Sequence, residues 1–467
     1  MFNSKLIFLI VAFIWNGTFL LCQNIEESGG GEYIHNPSMK CVSDEDYSRI
    51  SFMLHDNMNI LQNKGILPKS DKNQVVAFAF PLKKAENLTW NNFYGISGFV
   101  DQNSDNEVMD YNCGLRTYDG HNGVDYFTWP FQWYLVENDL VHIVAAADGI
   151  IIGKEDGNSS YSCDWNGNQN WNAVYLRHND GSVTWYGHMK KNSLTGKAIG
   201  SQVKQGEYLG VVGSSGRSSG PHLHFEVYKS QPFTRFNLIE PHSGSCNTLN
   251  NDSWWESQES YQYPVLNTIL THNNVIEFGC PTELEKTYFK NEFKPGDKVY
   301  FSRFYKDQKK GSTSFQKVYK PDNTLWRQWQ HTFTDDFNAS WWFNTQTLPA
   351  NAEIGEWKYE ATYEGSYMQH TFRVTNTSGT ADEDTEFNMI TFPNPAIDIL
   401  KLSFPPNDQI QKIAIIIRSV SGKIVLNQTY LGETEGQVDI AHLPNGIYLL
   451  ECKKEDKTLT KKLIINR

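Results

Sequence analysis

The chain has 467 residues, room for about three domains, with a net charge of −12 and a pI near 5.6. That acidic balance argues against nucleic acid as a partner. Aromatic residues make up 14% and charged residues 20%, with many Gly, Asn, Ser and Thr, which points to a β-rich, loop-rich exported protein rather than a helical one.

Lys5 precedes an apolar run over residues 6–15 and then NGTFLLCQN. A positive start and a short apolar stretch read as a secretory signal peptide over 1–22. The stretch is too short to span a bilayer comfortably, so no transmembrane segment is expected in the mature protein. Leu20-Leu21-Cys22 loosely resembles a lipoprotein cleavage box but lacks the small residues before the cysteine. Six cysteines remain: Cys41, Cys113, Cys163, Cys246, Cys280 and Cys452. An even number in an exported chain permits disulfides, and the absence of CxxC argues against a cysteine zinc site; sequence does not choose the pairing. We place Cys113, Cys163 and Cys246 as staples around the central domain.

Residues 23–74 read as a leader and one amphipathic helix. The stretch 26–32, with ESGGGE at its heart, is expected to be flexible. Ser43-Asp44-Glu45-Asp46 is a capping box with acids in the first turn. Ile50, Met53, Leu54, Met58 and Leu61 follow at helical spacing, and Gly65 ends the run. The expectation is a helix that lies against the following domain; a pro-segment that blocks a metal is the sharper alternative.

From 75 the text is β-rich. VVAFAF opens it, and 94–100 and 111–114 follow. Residues 141–152 form a strand, or two joined at Asp148-Gly149. NAVYLRH and 182–188 make a hairpin about Asn179-Asp180-Gly181. Four histidines and an aspartate stand out. His121 and Asp125 lie four apart in HNGVD, and His188 sits in YGHM. His222 and His224 sit in GSSGRSSGPHLHFEV, where strand alternation puts both on one face and Leu223 on the other. A His/Asp/His set leaves the fourth zinc position open for water, which is the pattern of a catalytic site.

HNGVD, YGHM and the Gly-rich HLH segment, in that order, resemble the lysostaphin/LytM-type zinc endopeptidases, peptidase family M23, over 75–246. The resemblance implies an antiparallel β LytM-type core with Zn2+ held by His121, Asp125 and His224. It implies His188 and His222 as the catalytic pair. Bound zinc would lower the pKa of its water toward ~7; one imidazole would act as base and the other would stabilise the oxyanion. No HExxH occurs, which fits a histidine base. His142, in an apolar strand, and His178, before a turn, read as structural. Tyr118 is left without a role, and DWNGNQNW (164–171) reads as an insertion lining the groove or a pinned surface loop.

Residues 247–281 read as a connector. In 282–375, Trp357, Tyr359, Ala361 and Tyr363 alternate with polar residues, as do Met368, His370, Phe372 and Val374. Period two over neighbouring runs predicts an Ig-like β-sandwich. Residues 376–388 form an acidic linker. Over 389–467, Pro393-Asn394-Pro395, Ser421-Gly422-Lys423, the Gly-Ile-Tyr segment and a basic last strand resemble the C-terminal sorting domain of type IX secretion. The expected fold class is thus mainly β and multidomain.

The sequence therefore points to a secreted or surface-held zinc endopeptidase. Its expected substrate is peptidoglycan cross-link peptide, at glycyl or D-amino-acid bonds, or Gly-rich protein, and its export partner the type IX secretion machinery. The alternatives are an inactive LytM-type binding or regulatory protein, or an adhesin acting through the Ig-like region.

Overall fold

The computed structural model describes residues 27–465 except 36–39, 72–75, 104, 106, 164, 166–169, 280–284, 377–389, 393–395, 397, 404–411, 420–421, 432–434 and 455–456. The signal peptide, Cys22, most of the acidic linker, Cys280, Pro393-Asn394-Pro395 and Ser421 lie outside the described residues. The chain divides into two compact units, Met1–Asn376 and Thr377–Arg467. Both are mainly β, as the alternation in the sequence requires.

The first unit is built on an eight-stranded sheet. Its spatial order is Tyr94–Gly98, Val124–Thr128, His222–Tyr228, Val183–Gly187, Ala173–Arg177, Gly149–Glu155 and Gln202–Val203, with Leu238–Ile239 paired to His222–Tyr228. The Asp148-Gly149 pair does split its region: Val141–Val144 belongs to a small sheet with Tyr208–Val211 and Leu82–Lys84, and Gly149–Glu155 to the large one. Both faces of the large sheet are covered. Leu223, Phe225 and Val227 point into one apolar cluster with Phe78, Val174, Leu176 and Tyr186. Tyr228, Trp185, Tyr175 and Ile152 point into a second.

The second cluster is closed by the leader. The helix Asp44–Asn63 has the expected capping box, with Asp46 as its acidic partner to Ser43, and Gly65 sits at φ 70° just past its end. Its stripe Ile50, Leu54 and Leu61 is buried against Ile150, Ile152 and Val183. Asn57 donates to the Ile152 carbonyl at 2.9 Å.

Two expectations need correction. Gly-rich Ser28–Glu32 is not a flexible leader; it is a strand paired antiparallel with Phe337–Thr347, with Gly30 opposite Trp342. Val265–His272, expected in a connector, is an edge strand of the sandwich beside Lys298–Gln308. The sandwich faces these strands with a second sheet of Glu292–Phe293, Ser366–Val374, Gly355–Tyr363, Thr313–Tyr319 and Leu325–Thr332. The alternating Trp357, Tyr359, Ala361 and Tyr363 fill the space between the sheets.

The second unit has a three-stranded and a four-stranded antiparallel sheet around Leu400, Ile415, Ile417, Val438, Leu450 and Leu463. The basic last strand Lys457–Ile465 pairs with Gly446–Lys454. Cys452 is a buried thiol there, its pKa pushed up to about 12 by burial. Cys113 and Cys246 are joined in a disulfide, and Cys163 is disulfide-bonded too. Cys41, counted with them in the sequence, is instead a buried free thiol.

Candidate metal centre

Register assembles the site. Val124–Thr128 and His222–Tyr228 run antiparallel with Asp125 opposite His224 and Phe127 opposite His222. On the other side His224 lies opposite Gly187, so the chain leaves that strand at His188. His188 has φ 60°, an uncommon backbone state for a non-glycine residue and one that gathers at functional sites. His121 comes from the loop before the Asp125 strand. Gly123 of that loop has to be glycine, because a Cβ there would meet the His224 ring at 2.7 Å.

The five residues are 0–3% exposed. His121 Nε2 is 3.3 Å from His224 Nδ1 and 3.2 Å from Asp125 Oδ2, and His224 Nδ1 is 2.7 Å from Asp125 Oδ1. The His121 and His224 rings are each held from behind. His121 Nδ1 lies 2.7 Å from the Phe99 carbonyl, and His224 Nε2 lies 2.7 Å from Glu226 Oε1. These contacts leave His121 Nε2 and His224 Nδ1 as the converging atoms, with an Asp125 oxygen as the third. A tetrahedral zinc with nitrogen and oxygen ligands near 2.0–2.1 Å has ligand–ligand edges of about 3.3 Å. The His–His separation and the His121–Asp125 separation match that edge.

His188 and His222 stand beside these donors, their rings 4.3 Å apart. His222 Nδ1 contacts the Gly220 carbonyl at 2.8 Å and its Nε2 lies 3.7 Å from Asp125 Oδ1. His188 Nδ1 contacts the Ser215 carbonyl at 2.6 Å, and its Nε2 is buried without a hydrogen-bond partner among the described residues. Burial, then the neighbouring histidines, pushes His188 well below the usual histidine pKa. Burial also lowers His222, against the pull of Asp125. For Asp125, burial would raise the pKa, but His121, His222 and His224 together carry it well below the carboxylate range.

Further residues surround these five, and Glu226 among them was not singled out in the sequence. Glu226 also accepts from Tyr47 and Tyr228 at 2.5 and 2.6 Å, so its carboxylate is fixed behind His224. Strand alternation carries the signal, since 222, 224, 226 and 228 share a face. Tyr118 stacks on His121 with centroids 4.2 Å apart. Trp171, from the far end of the polar insertion, stands edge-on to His188 at 5.2 Å. Cys41 Sγ lies 3.5 Å from His224 Nδ1. His142 and His178 are structural: His142 meets the Asp139 carbonyl, and His178 bridges the Asp148 carbonyl and Thr184.

Residues 120–235, which contain all five side chains, match the family described as Peptidase family M23, and 391–466 match the Secretion system C-terminal sorting domain. Residues 120–235 form an M23 peptidase domain. The chain is 36% identical over 130 residues to a DD-carboxypeptidase/endopeptidase of Neisseria meningitidis, covering 27% of this chain and 24% of that protein. It is 39% identical over 84 residues to a peptidoglycan DD-endopeptidase of Vibrio cholerae, covering 18% of this chain and 16% of that one. The chain thus spans a quarter or less of the length of these curated relatives. Among solved structures, the catalytic domain of lysostaphin from Staphylococcus simulans is 22% identical, with 34% of this chain and 96% of that chain covered, at a TM-score of 0.20. The sorting domain marks the chain for type IX secretion to the cell surface or beyond. No described helix is long and apolar enough to cross a membrane.

Proposed function

We propose that the M23 domain is a zinc-dependent endopeptidase in which His121 Nε2, Asp125 and His224 Nδ1 hold the metal and His188 and His222 handle protons. The observation that carries this reading is the convergence of three donors, each histidine fixed from behind, beside two imidazoles whose Nδ1 atoms are engaged and whose Nε2 atoms are left for chemistry. A zinc ion held by these residues would supply Lewis acidity and would lower the pKa of a bound water toward ~7.

The protein's own groups then divide the proton work. His188 and His222 both direct Nδ1 at a backbone carbonyl, so both neutral rings present Nε2 as an acceptor. One Nε2 takes the proton lost by the attacking water. The ring that has taken that proton then donates its Nε2–H to the leaving amine, while the other ring stays neutral. Two cations 4.3 Å apart in a buried site repel strongly, so the pair holds a single proton charge at a time. Both neutral rings are thus the same tautomer, and one of them carries the transferred proton at a time.

The relative named as a peptidoglycan DD-endopeptidase makes wall cross-link peptide, at glycyl or D-amino-acid bonds, the leading substrate class. Gly-rich protein is second. An enzyme exported by a type IX route acts outside its own wall, which favours foreign peptidoglycan or environmental protein. The test pairs metal analysis with mass spectrometry of fragments released from purified peptidoglycan. Wild type should bind zinc and release cross-link peptides. His222→Ala should keep the metal and lose cleavage, and His121→Ala should lose the metal. Correctly folded protein without affinity for zinc would overturn the reading.

A further inference from the structure

We propose that the β-sandwich carries a binding site of its own, centred on Arg303, for the free C-terminal carboxylate of a peptide. The site uses no residue of the metal centre and does not depend on the zinc reading. Arg303, on Lys298–Gln308, lies between the two sheets and is 2% exposed. Its Nη1 donates to the Asn344 side-chain oxygen at 2.7 Å, and its Nη2 lies 3.3 Å from His331 Nδ1 on the facing sheet. Burial, then Arg303 itself, lowers the His331 pKa to about 4, so that ring is neutral at pH 7. Both partners are therefore neutral, and neither is a carboxylate. Arg303 Nε is buried without a hydrogen-bond partner among the described residues. A buried cation that lacks a counter-charge is costly, and a guanidinium edge with a free N–H is the edge that takes a carboxylate.

The surroundings of Arg303 narrow the ligand. Gln316 Oε1, Trp329 Nε1 and Tyr359 Oη are also buried without a partner among the described residues. Gln316 and Trp329 stand opposite each other on neighbouring strands, and the Trp329 and Tyr359 rings stack at 6.1 Å. Burial raises the Tyr359 pKa and Arg303 opposes it, which places the guanidinium beside that ring. Gln316 Nε2 donates to Ser314 Oγ at 2.6 Å, and the Ser314 hydroxyl gives its own proton to the Thr362 carbonyl, so Oε1 is the free end of the amide. The group thus offers three donors, from Arg303, Trp329 and Tyr359, and one acceptor, Gln316 Oε1. Three donors suit a carboxylate. The acceptor calls for a proton on the ligand, which a bare anion lacks and the amide N–H beside a C-terminal carboxylate supplies. Entry is from the open side of the sandwich. Leu325–Thr332 is the edge of its sheet, and Arg327, Trp329 and His331 on it are half-buried. Trp342, also half-buried, meets His331 across the mouth at 4.3 Å, and Arg327 adds a second positive charge there.

The test measures binding rather than turnover. The full chain is kept in chelator, so that the metal centre takes no carboxylate, and is titrated by calorimetry with N-acetylglycine, N-acetylglycinamide and sodium acetate. Wild type should bind N-acetylglycine at one site per chain, acetate about 10-fold more weakly, and the amide not at all. Trp329→Phe keeps a ring against Tyr359 and removes the N–H, and should weaken N-acetylglycine about 10–100-fold. Arg303→Met fills the same space without charge and should abolish binding. Exchange of a buried charge for an apolar group of similar volume is tolerated by a core, and thermal unfolding checks that both variants are folded. Acetate binding as tightly as N-acetylglycine would overturn the peptide terminus in favour of a bare anion. No binding to wild type, or equal binding by wild type and both variants, would overturn the site itself.

Discussion

At the scale of single residues, the proposed metal site depends on groups that hold its converging donor atoms in place. Glu226 is completely buried, takes the His224 Nε2 contact on one oxygen and Tyr228 on the other, and so fixes which nitrogen of His224 faces Asp125. A neutral amide would weaken the charge-assisted contact and set an amide N–H against one of the donors. Glu226→Gln should therefore lower metal affinity about 10–100-fold, read by competition with a chelator, while folded content stays near that of wild type. The five central residues were legible because their spacing is unusual and ordered along the chain. Glu226 was hidden by its ordinariness, one carboxylate in a strand. Cys41 was hidden by arithmetic, because six cysteines in an exported protein invite pairing and nothing in the local text of Cys41 sets it apart. Three-dimensional proximity alone separates this thiol from Cys113 and Cys246.

At the scale of elements, strands and helix were read from period, and the leader strand was missed for a physical reason. SGGGE has no β-branched or aromatic residue and no alternation. It pairs because the Phe337–Thr347 edge offers open backbone groups and because glycine permits the approach. A Cβ on Gly30 would sit 2.2 Å from the Trp341 carbonyl oxygen, and its φ of 128° disfavours other residues. The helix is the opposite case, since cap and stripe were both written in the sequence. Leu54 is wholly buried, and its loss would leave a cavity between the helix and the sheet. Leu54→Ala should cost about 2–5 kcal/mol, and Ser43→Ala about 1 kcal/mol, against local opening of the leader. Hydrogen exchange of the helix amides should report both losses. Equal protection in Leu54→Ala and wild type would show that the helix is not held by this face.

At the scale of the whole molecule, the M23 sheet and the sandwich are joined within the first unit by buried polar and aromatic contacts. Arg116 pairs with Asp307 at 2.9 Å, Lys306 pairs with Glu259, and Trp129 donates to the Tyr305 carbonyl. His272, on the sandwich edge strand, is enclosed there by Phe131, Phe289 and Phe304. Its Nδ1 meets the Thr287 carbonyl at 2.7 Å, and its Nε2 is buried without a hydrogen-bond partner among the described residues. Burial, with a smaller contribution from His370, lowers its pKa from 6.5 to about 3. The sign follows from proton counts. Between these two values the unfolded chain binds a proton at this position and the folded chain does not, so stability rises with pH across that window. The contribution is complete above pH 6.5 and is lost on acidification, at up to about 1.4 kcal/mol per pH unit. His272→Asn keeps a donor for the Thr287 carbonyl and removes the titration. Urea unfolding at a series of pH values from neutral to mildly acidic should show the wild type losing stability more steeply than the variant. Parallel curves would mean that His272 remains hydrated, or gains a partner for its proton, when the seam between sheet and sandwich is closed.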